Sequence, residues 1–189
     1  VNAFSKARTV EARGFAILLP FLKERAHDGQ LVMTSKGALA RHLQEAVGDV
    51  GFNSDAERFW GIEVKIEEKH TGNLFLETWS NRNLEKRGDH ATFGSNVGWL
   101  AKLRADLLFY YFLNTDTLYI MDLFKLKRWA FGHNGTGGHI YEFREVPQNK
   151  YAQANDTHGR LVPVEILQRE VGARKVYPRQ IDLFTEAAN

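Results

Sequence analysis

Two glutamates stand inside the apolar, strand-like runs of "GIEVKIEEKHTGNLFLETWSN" (residues 61–81): Glu63 between Ile62 and Val64, and Glu77 between Leu76 and Thr78. A carboxylate in mid-strand is disfavoured by propensity and costly if buried, so each needs water, a partner or a metal ion. Alternation places Glu63, Lys65 and Glu67 on one side of the first run and Ile62, Val64 and Ile66 on the other; in the second run Phe75, Glu77 and Trp79 share a side. The two runs read as a hairpin around the turn-rich "KHTGN". An odd loop such as 68–72 sets Glu67 against Asn73, and therefore Glu63 directly across from Glu77 and close to Lys65. A two-residue turn at Thr71–Gly72 would instead send Glu77 to the apolar side. Opposed carboxylates repel unless a cation lies between them. A hard divalent ion, Mg²⁺ or Mn²⁺, takes one or two carboxylates and keeps several waters and a phosphate oxygen. With Lys65 to stabilise charge on a phosphorane-like transition state, the expected chemistry is metal-dependent hydrolysis of a phosphodiester. The plain alternative is a solvated strand face on which Glu63 and Lys65 are ordinary surface charges.

The elements that must position these residues follow from spacing. Residues 5–27 carry helical periodicity at Ala12, Phe15, Leu19, Leu22 and Ala26, with Pro20 as a kink. Thr34 or Ser35 caps a second helix running to about Val47, with Leu39, Leu43 and Val47 on one face and Gly48 as its stop. "DVGFNSDAER" (49–58) reads as a polar connection, and "NRNLEKRGDHATFGS" as a loop. "SNVGWLAKLRADLLFYYFL" recovers helical spacing at Leu100, Leu103, Leu107 and Tyr110/Tyr111. "TLYIMDL" is a strand, "FKLKRWAFG" a short helix or turn, "HIYEFREV" a strand, and "RLVPVEILQREVG" an extended segment entering a helix around Glu165. The expected class is mixed α/β, with the segregated elements of an α+β protein.

Composition sets the bounds. A chain of 189 residues suits a single domain with a proper core, and 12% aromatic residues exclude a disordered one. The net charge of only +2 means that any attraction to nucleic acid comes from local clusters of Lys and Arg. The absence of Cys removes disulfides, thiolate nucleophiles and cysteine zinc sites, and points to a cytoplasmic protein. No apolar run reaches membrane-spanning length, so no membrane partner is expected. No histidine pairs with a Glu at helical i, i+4 spacing, and "HTG", "GDH" and "GHNGTGGH" are turn contexts, which sets zinc aside, although His70 could transfer a proton. "GTGG" lacks a preceding strand and a lysine for nucleotide phosphates. Asp106 reads as a structural acid.

Taken together, "EVK" (Glu63–Lys65), the preceding Asp55, "TGNLFLE" (Thr71–Glu77) and "ADLLFYYF" (Ala105–Phe112) resemble the PD-(D/E)xK nuclease superfamily, in particular its small phage- and plasmid-associated members. The resemblance spans about residues 35–122 and makes 1–189 a single nuclease-like domain, with an N-terminal helix and C-terminal additions. It implies a restriction-endonuclease-like core: a helix, a three-stranded meander, a helix and a further strand, in a central mixed sheet flanked by helices. The implied activity is a Mg²⁺- or Mn²⁺-dependent DNA endonuclease, in the setting of phage or mobile-element DNA processing or defence. Two carry-overs remain open. In one, Asp55 is the first acid and Glu63-x-Lys65 the D/ExK pair. In the other, Glu63 is the first acid and Glu77 the second, with Trp79 where lysine is expected and Lys65 reaching in from the neighbouring strand. The first keeps the lysine, and the second fits the element order; no Pro precedes Asp55, and Glu45 is a candidate extra acid on the helix before it. Nicking needs a monomer, whereas cutting both strands favours a homodimer.

Arg82, Lys86 and Arg87, and Lys125, Lys127 and Arg128 beside Trp129, are the candidate contacts to DNA phosphates and bases. A different class remains in play, a non-catalytic nucleic-acid- or protein-binding module that keeps the nuclease fold; Trp79 at the lysine position favours it.

Overall fold

The computed structural model describes residues 3–26, 28, 30–34, 43–44, 47–54, 58–82, 97–132, 138–148 and 156–180. It is a mixed α/β protein with a six-stranded mixed sheet, a three-stranded antiparallel sheet and four α-helices among the described residues. By contacts the chain divides into two compact units, Val1–Thr71 with Arg104–Leu123 and Ala173–Asn189, and Gly72–Leu103 with Phe124–Gly172.

In the first unit, β1 (Leu31–Met33), β2 (Val50–Asn53) and β3 (Phe59–Glu67) form an antiparallel meander. β5 (Leu107–Phe112) then lies parallel to β3, and β6 (Thr117–Asp122) and β9 (Arg174–Val176) continue the sheet antiparallel. A parallel neighbour requires a crossover, and between Glu67 and Leu107 the chain leaves to build part of the second unit. The long helix α1 (Ala3–Lys23) buries Leu18, Phe21 and Leu22 in one core with Val50, Phe52, Ile62, Val64, Phe109 and Tyr111. Gly14 lets it come this close, because a Cβ there would lie 2.5 Å from the Ile66 side chain. The opposite sheet face carries Glu63, Lys65 and Glu67, whose register partners on β5 are Leu108, Tyr110 and Phe112.

In the second unit, β4 (Asn73–Trp79), β8 (His158–Pro163) and β7 (Glu145–Pro147) pair antiparallel in the order β4-β8-β7. α2 (Trp99–Lys102), α3 (Leu123–Phe131), a 3₁₀ turn (His139–Glu142) and α4 (Val164–Glu170) accompany them. No helix among the described residues is long and apolar enough to cross a membrane.

Several expectations are overturned. β3 and β4 are not a hairpin: β2 and β5 occupy the two sides of β3, and β4 pairs with β8. The helix expected over "SNVGWLAKLRADLLFYYFL" is only α2, and its second half is β5, whose last five residues are buried. A central strand covered on both faces is apolar throughout and so imitates a helix stripe. "HIYEFREV" is a 3₁₀ turn followed by β7 rather than one strand. The supposed polar connection 49–58 contains β2, where Val50 and Phe52 are buried. Of the second helix expected, positions 43, 44 and 47 are described and are helical; Ser35, Leu39 and Glu45 lie outside the described residues.

Candidate metal centre

The centre of β3 places a buried acid and a cation side by side. Glu63 is only 4% exposed, on the face opposite Ile62 and Val64. Lys65, two residues along and on the same face, sets its Nζ 2.5 Å from Glu63 Oε1 while its side chain stays 31% exposed. A carboxylate this buried is costly unless a positive charge accompanies it, and Lys65 supplies one.

A second acid reaches the backbone of this strand from an unexpected position. At Gly48 the backbone φ is +83°, and a Cβ would sit 2.5 Å from the Ile62 carbonyl and 2.8 Å from the Glu63 nitrogen. Only glycine passes this close to β3 in that conformation. The next residue, Asp49, donates its N–H to the Ile62 carbonyl at 2.8 Å. Its Oδ2 accepts the Val64 N–H at 2.9 Å, and its Oδ1 accepts Gln44 Nε2 at 2.5 Å. Thr34 completes the support, its hydroxyl donating to the Gly48 carbonyl at 2.5 Å and its N–H to the Asp49 carbonyl at 3.2 Å. The Asp49 carboxylate is thereby bonded to the peptide that links Glu63 to Val64, inside the Glu63-x-Lys65 motif. Sequence reading missed it because "VGDVGF" looks like a polar, glycine-rich turn; the signal within it is the alternation of Val50 and Phe52 just after the acid.

The other acids are placed differently. Glu77 is not across a ladder from Glu63, since β4 belongs to the three-stranded sheet. In the second unit its Oε1 accepts the Ser80 hydroxyl at 2.8 Å and the Trp99 N–H at 3.2 Å, which ties β4 to the start of α2. Asp55 lies outside the described residues. Asp106 exchanges bonds with Gly61: its Oδ2 accepts the Gly61 N–H at 2.8 Å, and its own N–H donates to the Gly61 carbonyl at 2.8 Å, fixing β5 against β3. Glu67 accepts a hydrogen bond from the Tyr110 hydroxyl, and burial pushes its carboxyl above the usual 4.5, with that hydrogen bond pulling the other way. His70 Nε2 lies 2.9 Å from the Tyr119 hydroxyl, and its ring meets Phe112 edge-on.

The candidate phosphate contacts also separate. Arg82 is paired with Glu145 at 2.6 Å. Lys127 donates to the Ala101 carbonyl at 3.1 Å and to that of Leu103, which satisfies the end of α2. Lys125 and Arg128 line an open cleft of the second unit. Lys86 and Arg87 lie outside the described residues.

No group of three or more His, Cys, Asp or Glu placed to hold a metal is found among the described residues. Asp49, bonded to the Val64 N–H, and Glu63, the preceding residue on β3, are both oxygen donors, the ligand type that Mg²⁺ or Mn²⁺ takes. Each Asp49 oxygen spends one lone pair in its hydrogen bond and has a second for a cation. Comparison with protein-family models, curated proteins and solved structures finds no match to this chain.

Proposed function

We propose that this chain is a metal-dependent DNA endonuclease of the PD-(D/E)xK type. Asp49 and Glu63 hold Mg²⁺ or Mn²⁺, and Lys65 is the catalytic cation. The observation that carries this reading is the Asp49 Oδ2 bond to the Val64 N–H, which joins an acid at the start of one meander strand to the Glu63-x-Lys65 motif of the next. The element order supports it as well: a three-stranded antiparallel meander, an excursion containing a helix, and then a strand parallel to the last of the meander. Asp49 here takes the place that the sequence alone offers to Asp55 or Glu77.

Asp49 and Glu63 would hold the divalent cation, which would supply Lewis-acid polarisation of the scissile phosphate and a more acidic water at neutral pH. The protein supplies the rest. Lys65, held on Glu63, offsets negative charge building on the phosphate oxygens as the bond to the leaving oxygen breaks. Gln44 and the Val64 peptide orient the Asp49 carboxylate, so little reorganisation remains at the moment of reaction.

The test is nicking of supercoiled plasmid with Mg²⁺, with Mn²⁺ and with chelator. Nicking that needs metal and falls about a hundredfold or more in Asp49→Asn, Glu63→Gln and Lys65→Ala is the expected result. Native-level nicking by Asp49→Asn would remove the site from this position. A second reading, a non-catalytic binding module with the same fold, is favoured by one feature: Lys65 neutralises Glu63 without any metal. Absence of both nicking and a metal-induced rise in melting temperature would select it.

A further inference from the structure

The cleft on α3 in the second unit holds a combination that the proposed metal centre does not use. Lys125, Arg128 and Trp129 stand at i, i+3 and i+4 and so share one helix face. They line an opening of about 360 Å³ together with His139 and Glu170. Trp129 is oriented rather than loose. Its indole N–H donates to Glu170 Oε2 at 2.6 Å, and its ring lies nearly parallel to that of His139, with centroids 5.9 Å apart and planes 24° from parallel. Phe143 lies 5.9 Å from it, with its ring tilted by 42°. The Glu170 carboxylate is held below the usual range by the Arg169 hydrogen bond first and by the Trp129 indole second. Its charge is thus offset locally, while both cations on the helix face lie at the opening. Gly138 brings the 3₁₀ turn with His139 against α3, since a Cβ there would lie 1.9 Å from the Ala130 carbonyl.

A fixed aromatic pair flanked by two cations recognises a flat ring attached to a phosphate chain. In a duplex the faces of the bases are spent on one another, so the ring must come from an unpaired nucleotide. We infer that this cleft binds single-stranded nucleic acid, an unpaired base stacking on Trp129 and His139 while Lys125 and Arg128 hold the neighbouring phosphates. The inference deepens the nuclease reading by naming the substrate class, DNA with an unpaired strand.

The test is fluorescence anisotropy with a labelled oligo(dT) and with a duplex of mixed sequence, in chelator so that no cleavage intervenes. Trp129→Leu should weaken oligo(dT) binding about tenfold and leave duplex binding unchanged, and Trp129→Phe should restore most of the loss. The exposed double variant Lys125→Ala/Arg128→Ala should lower the salt dependence of oligo(dT) binding by about 1.4 in log–log slope. Native affinity in a folded Trp129→Leu, or an unchanged slope in the double variant, overturns the inference, as does an equal loss on duplex. The two proposals fail separately. Single-strand binding through Trp129 in a protein that never nicks plasmid refutes only the nuclease; metal-dependent nicking with binding indifferent to Trp129 refutes only the cleft.

Discussion

Glu63 and Glu77 look alike in the sequence, each an acid set among strand residues, and the molecule uses them in opposite ways. Glu77 collects neutral donors, the Ser80 hydroxyl and the Trp99 N–H, and its charge is spent holding β4 to α2. Glu63 is almost fully buried, lies against an ammonium and has a second carboxylate bonded to its own following peptide. A carboxylate satisfied by neutral hydrogen bonds needs nothing more from its surroundings. One that sits near a second acid gains from each added positive charge. The company an acid keeps therefore separates a satisfied structural acid from a candidate metal ligand better than the pattern of its strand does.

The sharpest way to break this comparison is metal-linked melting. Mn²⁺ at a hundred times its dissociation constant adds about 2.7 kcal/mol to a protein that binds it only when folded. Native protein and Glu77→Ala should both gain that stability, and Glu63→Gln should gain none; a gain that follows Glu77 instead would invert the assignment. A smaller effect is expected in denaturant unfolding of Glu77→Ala, which should lose about 1 kcal/mol because the Trp99 N–H loses this acceptor, while the Ser80 hydroxyl keeps the Val97 carbonyl. Its plasmid nicking should stay native, and a matching loss of nicking would erase the distinction. The smallest effect belongs to Glu67, an acid on the same face as Glu63 but on the other side of Lys65. Its carboxyl titrates above 4.5 in the folded state, so the folded state holds the proton more tightly than the unfolded one, and stability falls as pH rises through that window. Glu67→Gln removes the penalty while keeping an acceptor for Tyr110. The melting temperature of the variant relative to native should therefore rise from pH 4 to pH 7, and a flat difference would mean that Glu67 is no more strained than an exposed acid.

Much of this architecture can be read from one-sided patterns. α1, β3, β4, β6, α3 and the passage from β8 into α4 each leave a local periodicity, and the sequence expectations place an element at each of them. For α1 the buried face centres on Leu18 and Leu22 rather than on Ala12 and Leu19. What fails is nonlocal. β5 has no alternation to read, and Leu100, Leu103 and Leu107 happen to keep helical spacing across the break between α2 and the strand. The false hairpin arises because sequence neighbours with a turn between them are the default partners, whereas β3 is already flanked on both sides. The candidate site divides in the same way. Glu63 and Lys65 are legible because alternation alone puts them on one face. Asp49 is not, because its place depends on a left-handed backbone at Gly48 and on which strand lies alongside.

The two units are interleaved along the chain, and this has a consequence for how the protein is made. The first unit gains β3 early, but the strand that lies next to it arrives some forty residues later, and β9 comes only with Arg174–Val176. On a ribosome its sheet cannot be finished until β9 has emerged, by which time the stretch Phe124–Gly172 of the second unit is already outside. No single cut separates the units, so neither can be expressed as one uninterrupted fragment, and an early stop removes an edge strand from the sheet that carries the acids.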